Sequence, residues 1–339
     1  MKRHSAVRGA SPVGSQLVWS AQRCWRGFTV LELVVTMVAL AMLAALLAPA
    51  IQGVRSAANT AECSNHLHQL GTALANAESK HGGFPVKHHG AGNPSLAPLF
   101  PYLDQSALYD RLSASDPPSE LPVVAVVLCP SDPYSWEKIG DANYFFNFGT
   151  RFRDSQQLNG FVPSGYRPGR FLVIEAREII DGLSNTLAMS ERLTVSRAFA
   201  REMFGVTDDD IRSQTGRYLW YTEARFRGRG DEHRAAENCR RSMTTPLPLQ
   251  SGLWSNTWLQ GSGYDHLLPP NHRGCYNDVP GSEANESFDA RLIPPSSLHS
   301  GGVNALVADG QVRFIADAIA DSVWRAIGTR AGGEVEGLR

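Results

Sequence analysis

Residues 26–51 read RGFTVLELVVTMVALAMLAALLAPAI, and the fold turns on this stretch. From Leu33 to Ile51 there are nineteen consecutive residues without a charge, interrupted only by the hydroxyl of Thr36. Joined to Phe28–Leu31, the run comes to about 24 largely apolar residues, roughly 36 Å as a helix and enough to cross a bilayer. A core helix of that length would show a polar face, and a cleaved signal peptide would carry a shorter apolar region ending at small residues. The segment 28–51 is therefore expected to span a membrane. Residues 1–27 hold Lys2, Arg3, Arg8, Arg23 and Arg26 and no acid, whereas the rest of the chain is net acidic. That asymmetry predicts a single pass with the N-terminus cytoplasmic and the C-terminal part outside.

Beyond the membrane segment the helical pattern continues over 52–82. Val54, Ala58, Ala61, Leu67, Leu70, Leu74 and Ala77 recur at spacings of three and four, the apolar stripe of a helix lying on a domain. Gly82, Gly83 and Pro85 should end it, so one helix is expected over about 28–80. The remainder, 83–339, reads as one α+β ectodomain with strands at Val123–Leu128, Phe171–Ile174, Thr186–Ser190, Asn304–Ala308 and Gln311–Ile315. Asp309-Gly310 predicts a tight hairpin between the last two, with positive φ at both residues. Asp321–Thr329 suits a short helix, and Arg192–Arg241, rich in charge, is expected to form surface helix or loop. Of the 339 residues 42% are hydrophobic and no repeat dominates, which excludes a disordered, collagen-like or coiled-coil chain. A net charge of −1 gives no reason to expect a nucleic-acid partner.

Glu32 breaks the plain-anchor reading. A carboxylate at the start of a membrane run carries a desolvation cost and usually marks a functional position. The stretch Gly27-Phe28-Thr29-Val30-Leu31-Glu32 resembles the processing motif of bacterial type IV prepilins and type II secretion pseudopilins. The resemblance implies that a prepilin peptidase cuts after Gly27 and methylates Phe28. It implies too that Glu32 neutralises a neighbouring subunit's new terminal amine during assembly, and that Pro49 loosens the helix within the filament. Further along, Ser297-Leu298-His299-Ser300-Gly301-Gly302-Val303-Asn304 and Ala308-Asp309-Gly310 place nine residues between a His and an Asp-Gly. This resembles the C-terminal H-X9-DG motif of DUF1559 proteins, in the region 295–330. Cys63-Ser64-Asn65, Gln69-Leu70-Gly71, Cys129-Pro130-Ser131-Asp132, Asp181–Thr186 and Leu268-Pro269-Pro270-Asn271 match the same family. The family implies a pilin-like fold, in which a long N-terminal helix packs on a large globular head with an antiparallel sheet. It brings no known activity.

Five cysteines occur, and Cys24 would leave with the leader. The other four lie on the oxidising side of the membrane, where Cys239–Cys275 is the favoured bridge, with Cys63 and Cys129 paired or free. No metal site is expected, because His66 and His68 diverge on a helix, His88-His89 falls in a Gly-rich loop and no HExxH occurs. His299 is expected to bond loop carbonyls and lock the final hairpin. Calcium, through Asp132, Asp181, Glu191 or Asp309, is the minor alternative to no cofactor, since each Asp also suits a turn. Trp220, Tyr221, Trp254, Trp258 and Tyr264, with Asn256 and His266, could stack a ligand but suit packing equally. The expected function is a non-enzymatic pilin-like or pseudopilin-like subunit of the bacterial inner membrane, forming homo- or hetero-filaments. The alternative is a tethered module binding glycan, peptide or surface polymer without polymerising, and a tethered hydrolase comes third.

Overall fold

The computed structural model describes residues 28–85, 96–113, 122–133, 142–151, 158–162, 173–194, 218–221, 231–241, 246–248, 263–276 and 291–334. The chain divides into a unit ending at Gln52 and a second one running from Gly53 to the C-terminus.

In the first unit the helix α1 begins; it covers Val30–His81, 52 residues, and runs through Pro49. Leu33, Leu40, Leu47 and their neighbours are exposed all round the first half. Among the described residues, α1 is the one helix long and apolar enough to cross a bilayer, consistent with a single-pass membrane anchor. Its entry is fixed locally. The Thr29 hydroxyl accepts from the Glu32 N–H at 3.2 Å, while Glu32 Oε2 accepts from the Thr29 N–H at 2.9 Å, a reciprocal capping box.

The second unit is built on the rest of α1. Cys63, Leu67, Leu70, Gly71, Ala73, Leu74 and Ala77 are buried. The expected stripe therefore holds from Leu67 onward, but Val54, Ala58 and Ala61 are exposed, and the stripe starts at Cys63 instead. Small apolar residues near the apolar segment mimic a packing face that none of the described residues covers. The helix ends where the Gly82 N–H bonds Glu78 O at 2.8 Å.

Eleven short strands are described: β1 (Phe84–Pro85), β2 (Tyr144–Asn147), β3 (Val173–Ile174), β4 (Leu187–Glu191), β5 (Tyr218–Tyr221), β6 (Pro246–Pro248), β7 (Gly263–Tyr264), β8 (Gly274–Tyr276), β9 (Arg291–Leu292), β10 (Gly302–Val307) and β11 (Val312–Ala316). The central sheet has the order β11-β10-β4-β2-β7, a second one β6-β5-β8-β9, and β1 pairs with β3. The fold is α+β as expected, with mixed sheets: β2–β7 and β5–β8 are parallel, the other pairs antiparallel. Short helices α2 (Ser106–Ser113), α3 (Glu232–Arg241) and α4 (Asp321–Ala326) complete it.

Three expectations need correction. Val123–Leu128 is not a strand, because Ala125–Val127 forms a 3-10 turn. Its carbonyls serve other partners, Val127 O accepting from Asn143 N and Leu128 O meeting His66 Nδ1. Arg192–Arg241 is not wholly surface helix or loop: Tyr218–Tyr221 forms β5, α3 buries Glu232, Ala235, Ala236 and Cys239, and Arg192 is no surface residue. It is buried, its guanidinium lies 3.9 Å from the Phe145 ring centre, and it donates to Gly263 O. The hairpin turn needs positive φ only at Gly310, at 91°. Gly310 N–H bonds Val307 O and Val307 N–H bonds Gln311 O, giving a three-residue loop closed by a left-handed glycine. Gly71, in the stretch Gln69-Leu70-Gly71, lies close to the hairpin, since a Cβ there would lie 2.7 Å from Leu306 Cδ1 and 3.4 Å from Gly310 O. The helix thus passes close to the Asp-Gly turn, and a side chain at Gly71 would have to displace the end of Leu306.

Candidate functional site

The family-like motifs, scattered in sequence, converge within the second unit. Thr60 and Cys63 come from one face of α1, and Cys129 and Ser131 from the loop after the 3-10 turn. Glu191 ends β4, Asn304 lies in β10, and His299 sits in the loop before it. Cys63, Cys129, Glu191, His299 and Asn304 are all buried.

Hydrogen bonding explains the tolerance of a buried carboxylate. Glu191 Oε2 accepts from the Asn304 N–H at 2.8 Å, and Oε1 accepts from Asn304 Nδ2 at 3.0 Å. His299 Nε2 lies 3.1 Å from the same Oε1 and 3.7 Å from Cys129 Sγ. The other ring nitrogen, Nδ1, lies 2.9 Å from Thr60 Oγ1 and 3.4 Å from Ser131 Oγ. Thr60 Oγ1 donates to Ser56 O at 3.0 Å, so it accepts from Nδ1–H. His299 therefore bonds side chains rather than the loop carbonyls expected from the sequence.

The loop around it is pinned by Leu268-Pro269-Pro270-Asn271. Asn271, at φ 55°, accepts the Ser297 N–H at 2.7 Å and donates to Asp317 Oδ1 at 2.7 Å. Ser297 Oγ donates to Gly302 O and accepts the His299 N–H. The Cys129 side is pinned likewise. Asn143 Oδ1 accepts the Cys129 N–H, and Asp132 Oδ2 accepts from Asn143 Nδ2, Thr194 N and Thr194 Oγ1. Tyr144 donates to Cys63 O and has its phenol pushed well above the usual range, by burial first and then by the charges of Glu191 and Glu62.

The cysteines pair as Cys63–Cys129, with Cα atoms 5.1 Å apart, and Cys239–Cys275, at 5.8 Å. Ligand atoms of Cys63, Cys129, Glu191 and His299 lie within 4.8 Å of one another, a donor set able to hold a metal. The acids weighed for calcium are engaged separately. Asp181 accepts from Thr329 Oγ1, Gly332 N and Gly333 N, and Asp309 accepts the Gln311 N–H within its own turn.

Of the processing residues, Phe28 is 84% exposed and Glu32 forms the capping box, while Gly27 and Cys24 lie outside the described residues. So do His88, His89, Trp254, Asn256 and Trp258, and the side chains of Trp220 and Tyr221. Tyr264 and His266 are buried in packing, the His266 ring stacking on Trp324 at 3.8 Å between centroids. Thr60 and Asn143 escaped the sequence reading, while Ser131 and Asn304 were read as members of motifs without a role of their own. A usable signal existed for the hub: Leu187–Thr194, LAMSERLT, puts two charges into an otherwise apolar strand end.

A family model described as a protein of unknown function, DUF1559, matches residues 52–322. No curated protein and no solved structure matches the chain.

Proposed function

This chain belongs to the DUF1559 family, and on that premise we propose that it is a pilin-like or pseudopilin-like structural subunit, anchored in the bacterial inner membrane. A prepilin peptidase cuts it after Gly27 and methylates Phe28. The mature subunit then enters a homo- or hetero-filament through the first half of α1, and the chain itself performs no chemistry. The observation that carries this reading is the coincidence of Gly27-Phe28 and Glu32 with the border where the uncharged run begins. Support comes from α1, a single helix that supplies both the exposed apolar segment and the buried spine of the second unit.

Intact-mass and N-terminal peptide analysis of protein from its native membrane tests the processing step. A mature terminus at methylated Phe28 is expected, and an intact leader overturns the proposal in favour of a plain anchor with a binding head. Assembly is tested with two variants, because Glu32 also caps α1. Glu32→Gln keeps an acceptor for the Thr29 N–H and removes the charge. It should leave helix content unchanged and reduce sedimentable filament to background. Filament formed by Glu32→Gln but lost in Glu32→Ala would reassign Glu32 to capping alone.

A further inference from the structure

We propose that the Cys63–Cys129 bridge and a divalent-metal site are alternative states of one buried cluster. With the bridge open, Cys63, Cys129, Glu191 and His299 bind one ion of the zinc class. All four ligand atoms already lie within 4.8 Å of one another. Tetrahedral zinc, with Zn–S of about 2.3 Å and Zn–N or Zn–O of about 2.0–2.2 Å, sets neighbouring ligand atoms about 3.3–3.8 Å apart. Cys129 Sγ to His299 Nε2 at 3.7 Å falls in that range, and His299 Nε2 to Glu191 Oε1 at 3.1 Å lies just short of it. Two sulfurs and an imidazole select zinc, cobalt or nickel over calcium or magnesium, whose partners are oxygens.

The surroundings orient the cluster as a metal site needs. Thr60 Oγ1 holds His299 Nδ1, which points Nε2 at the two sulfurs and the carboxylate. Asn304 fixes Glu191 through both oxygens. These are the second-shell contacts that set ligand orientation and tautomer. The same geometry argues against a cysteine nucleophile. In a nucleophile–base–orienter chain the histidine uses opposite nitrogens, whereas here Cys129 and Glu191 both face Nε2.

The steps balance. A phosphine reductant cleaves the S–S bond and with one water gives two thiols and the phosphine oxide. A divalent ion then displaces the two thiol protons to solvent, giving two metal–sulfur bonds. The Cys-X-Cys and HExxH spacings that announce metal sites are absent because the ligands come from α1, a loop, β4 and a second loop.

The test uses the full chain in detergent micelles, reduced with a phosphine and freed of excess reductant, then titrated with cobalt(II). One equivalent per chain should give thiolate-to-cobalt charge-transfer absorption with tetrahedral visible bands, displaced by zinc. The unreduced chain should give neither. Cys63→Ser and His299→Gln should abolish the signal, and Thr60→Val, which removes no ligand, should weaken affinity about tenfold, at the lower end of second-shell effects. The proposal is overturned if the reduced chain shows no such absorption or if the unreduced chain binds equally. It is also overturned if Cys63→Ser and His299→Gln retain the signal, which would place the metal on Cys239 and Cys275 or on unfolded thiols.

Discussion

The two bridges close loops of comparable size yet live in different surroundings. Cys63–Cys129 spans 66 residues and Cys239–Cys275 spans 36. Chain entropy alone assigns each about 4 kcal/mol at 25 °C. The first lies in the large core, to which Leu67, Leu70, Val127, Tyr144 and Leu306 also belong, and joins α1 to the head. Among the described residues, the second lies in a cluster of seven buried ones, two of them alanines and two the bridged cysteines themselves. Where apolar burial is ample a bridge adds to an assembly that persists without it. Where burial is thin the bridge is a main reason the element stays in place.

The largest expected effect breaks the comparison most directly. Cys239→Ser with Cys275→Ser should release α3 from β8, a local loss on the order of 4 kcal/mol. Hydrogen exchange should show α3 amides opening several-hundred-fold more often, with those of β4 and β10 unchanged. Cys63→Ser with Cys129→Ser should lower the global unfolding midpoint and leave no single element selectively exposed. Equal exchange of α3 in the two double variants would erase the distinction between the cores.

A smaller effect belongs to the large core alone. Glu191→Gln replaces one acceptor oxygen by an amide that cannot serve both Asn304 and His299. The orphaned donors should cost about 2–3 kcal/mol in chemical denaturation, within the range for buried unsatisfied groups. A loss below about 0.5 kcal/mol would mean that this hub contributes little to the core's stability.

How legible these features were follows from how local their causes are. The apolar first half of α1 was readable because nineteen uncharged residues need no partner to be recognised. The stripe Leu67, Leu70, Leu74, Ala77 was readable from periodicity, and β4, β10 and β11 from apolar runs bounded by turn residues. Val123–Leu128 misled because a β-branched run between Pro122 and Pro130 has strand composition, while its carbonyls are taken by Asn143 and His66. The hub was named only in part, through Glu191, His299 and the cysteines. Its members run from Thr60 to Asn304, so no spacing rule connects them, and Thr60 looks like any helix-surface threonine. Arg192 was misplaced because charge predicts exposure unless a ring and a carbonyl are known to receive it.

The smallest effect concerns the joint between the two cores. His266 precedes Leu267 and Leu268 of the small cluster, stacks on Trp324 of the large one, and meets Trp324 O through Nδ1 at 2.8 Å. Trp324 Nε1 donates in turn to Leu268 O at 2.7 Å. Burial pushes the His266 ring from 6.5 down to about 3, the bond to Trp324 O only partly opposing it. The folded chain therefore keeps this ring neutral at a pH where the unfolded chain protonates it. Its contribution is complete above pH 6.5, declines as the pH falls below that value, and stops declining near 3. By pH 5.5 the loss should reach about 1.4 kcal/mol. Denaturation midpoints measured at pH 7.5 and 5.5 should differ by that amount in the wild-type chain and by much less in His266→Gln. Because the ring bridges the two clusters, acid should loosen α3 and β9 before the central sheet, which exchange measured at pH 5.5 would reveal. Identical pH dependence in His266→Gln would put the acid sensitivity on other groups and leave the joint between the cores a matter of packing alone.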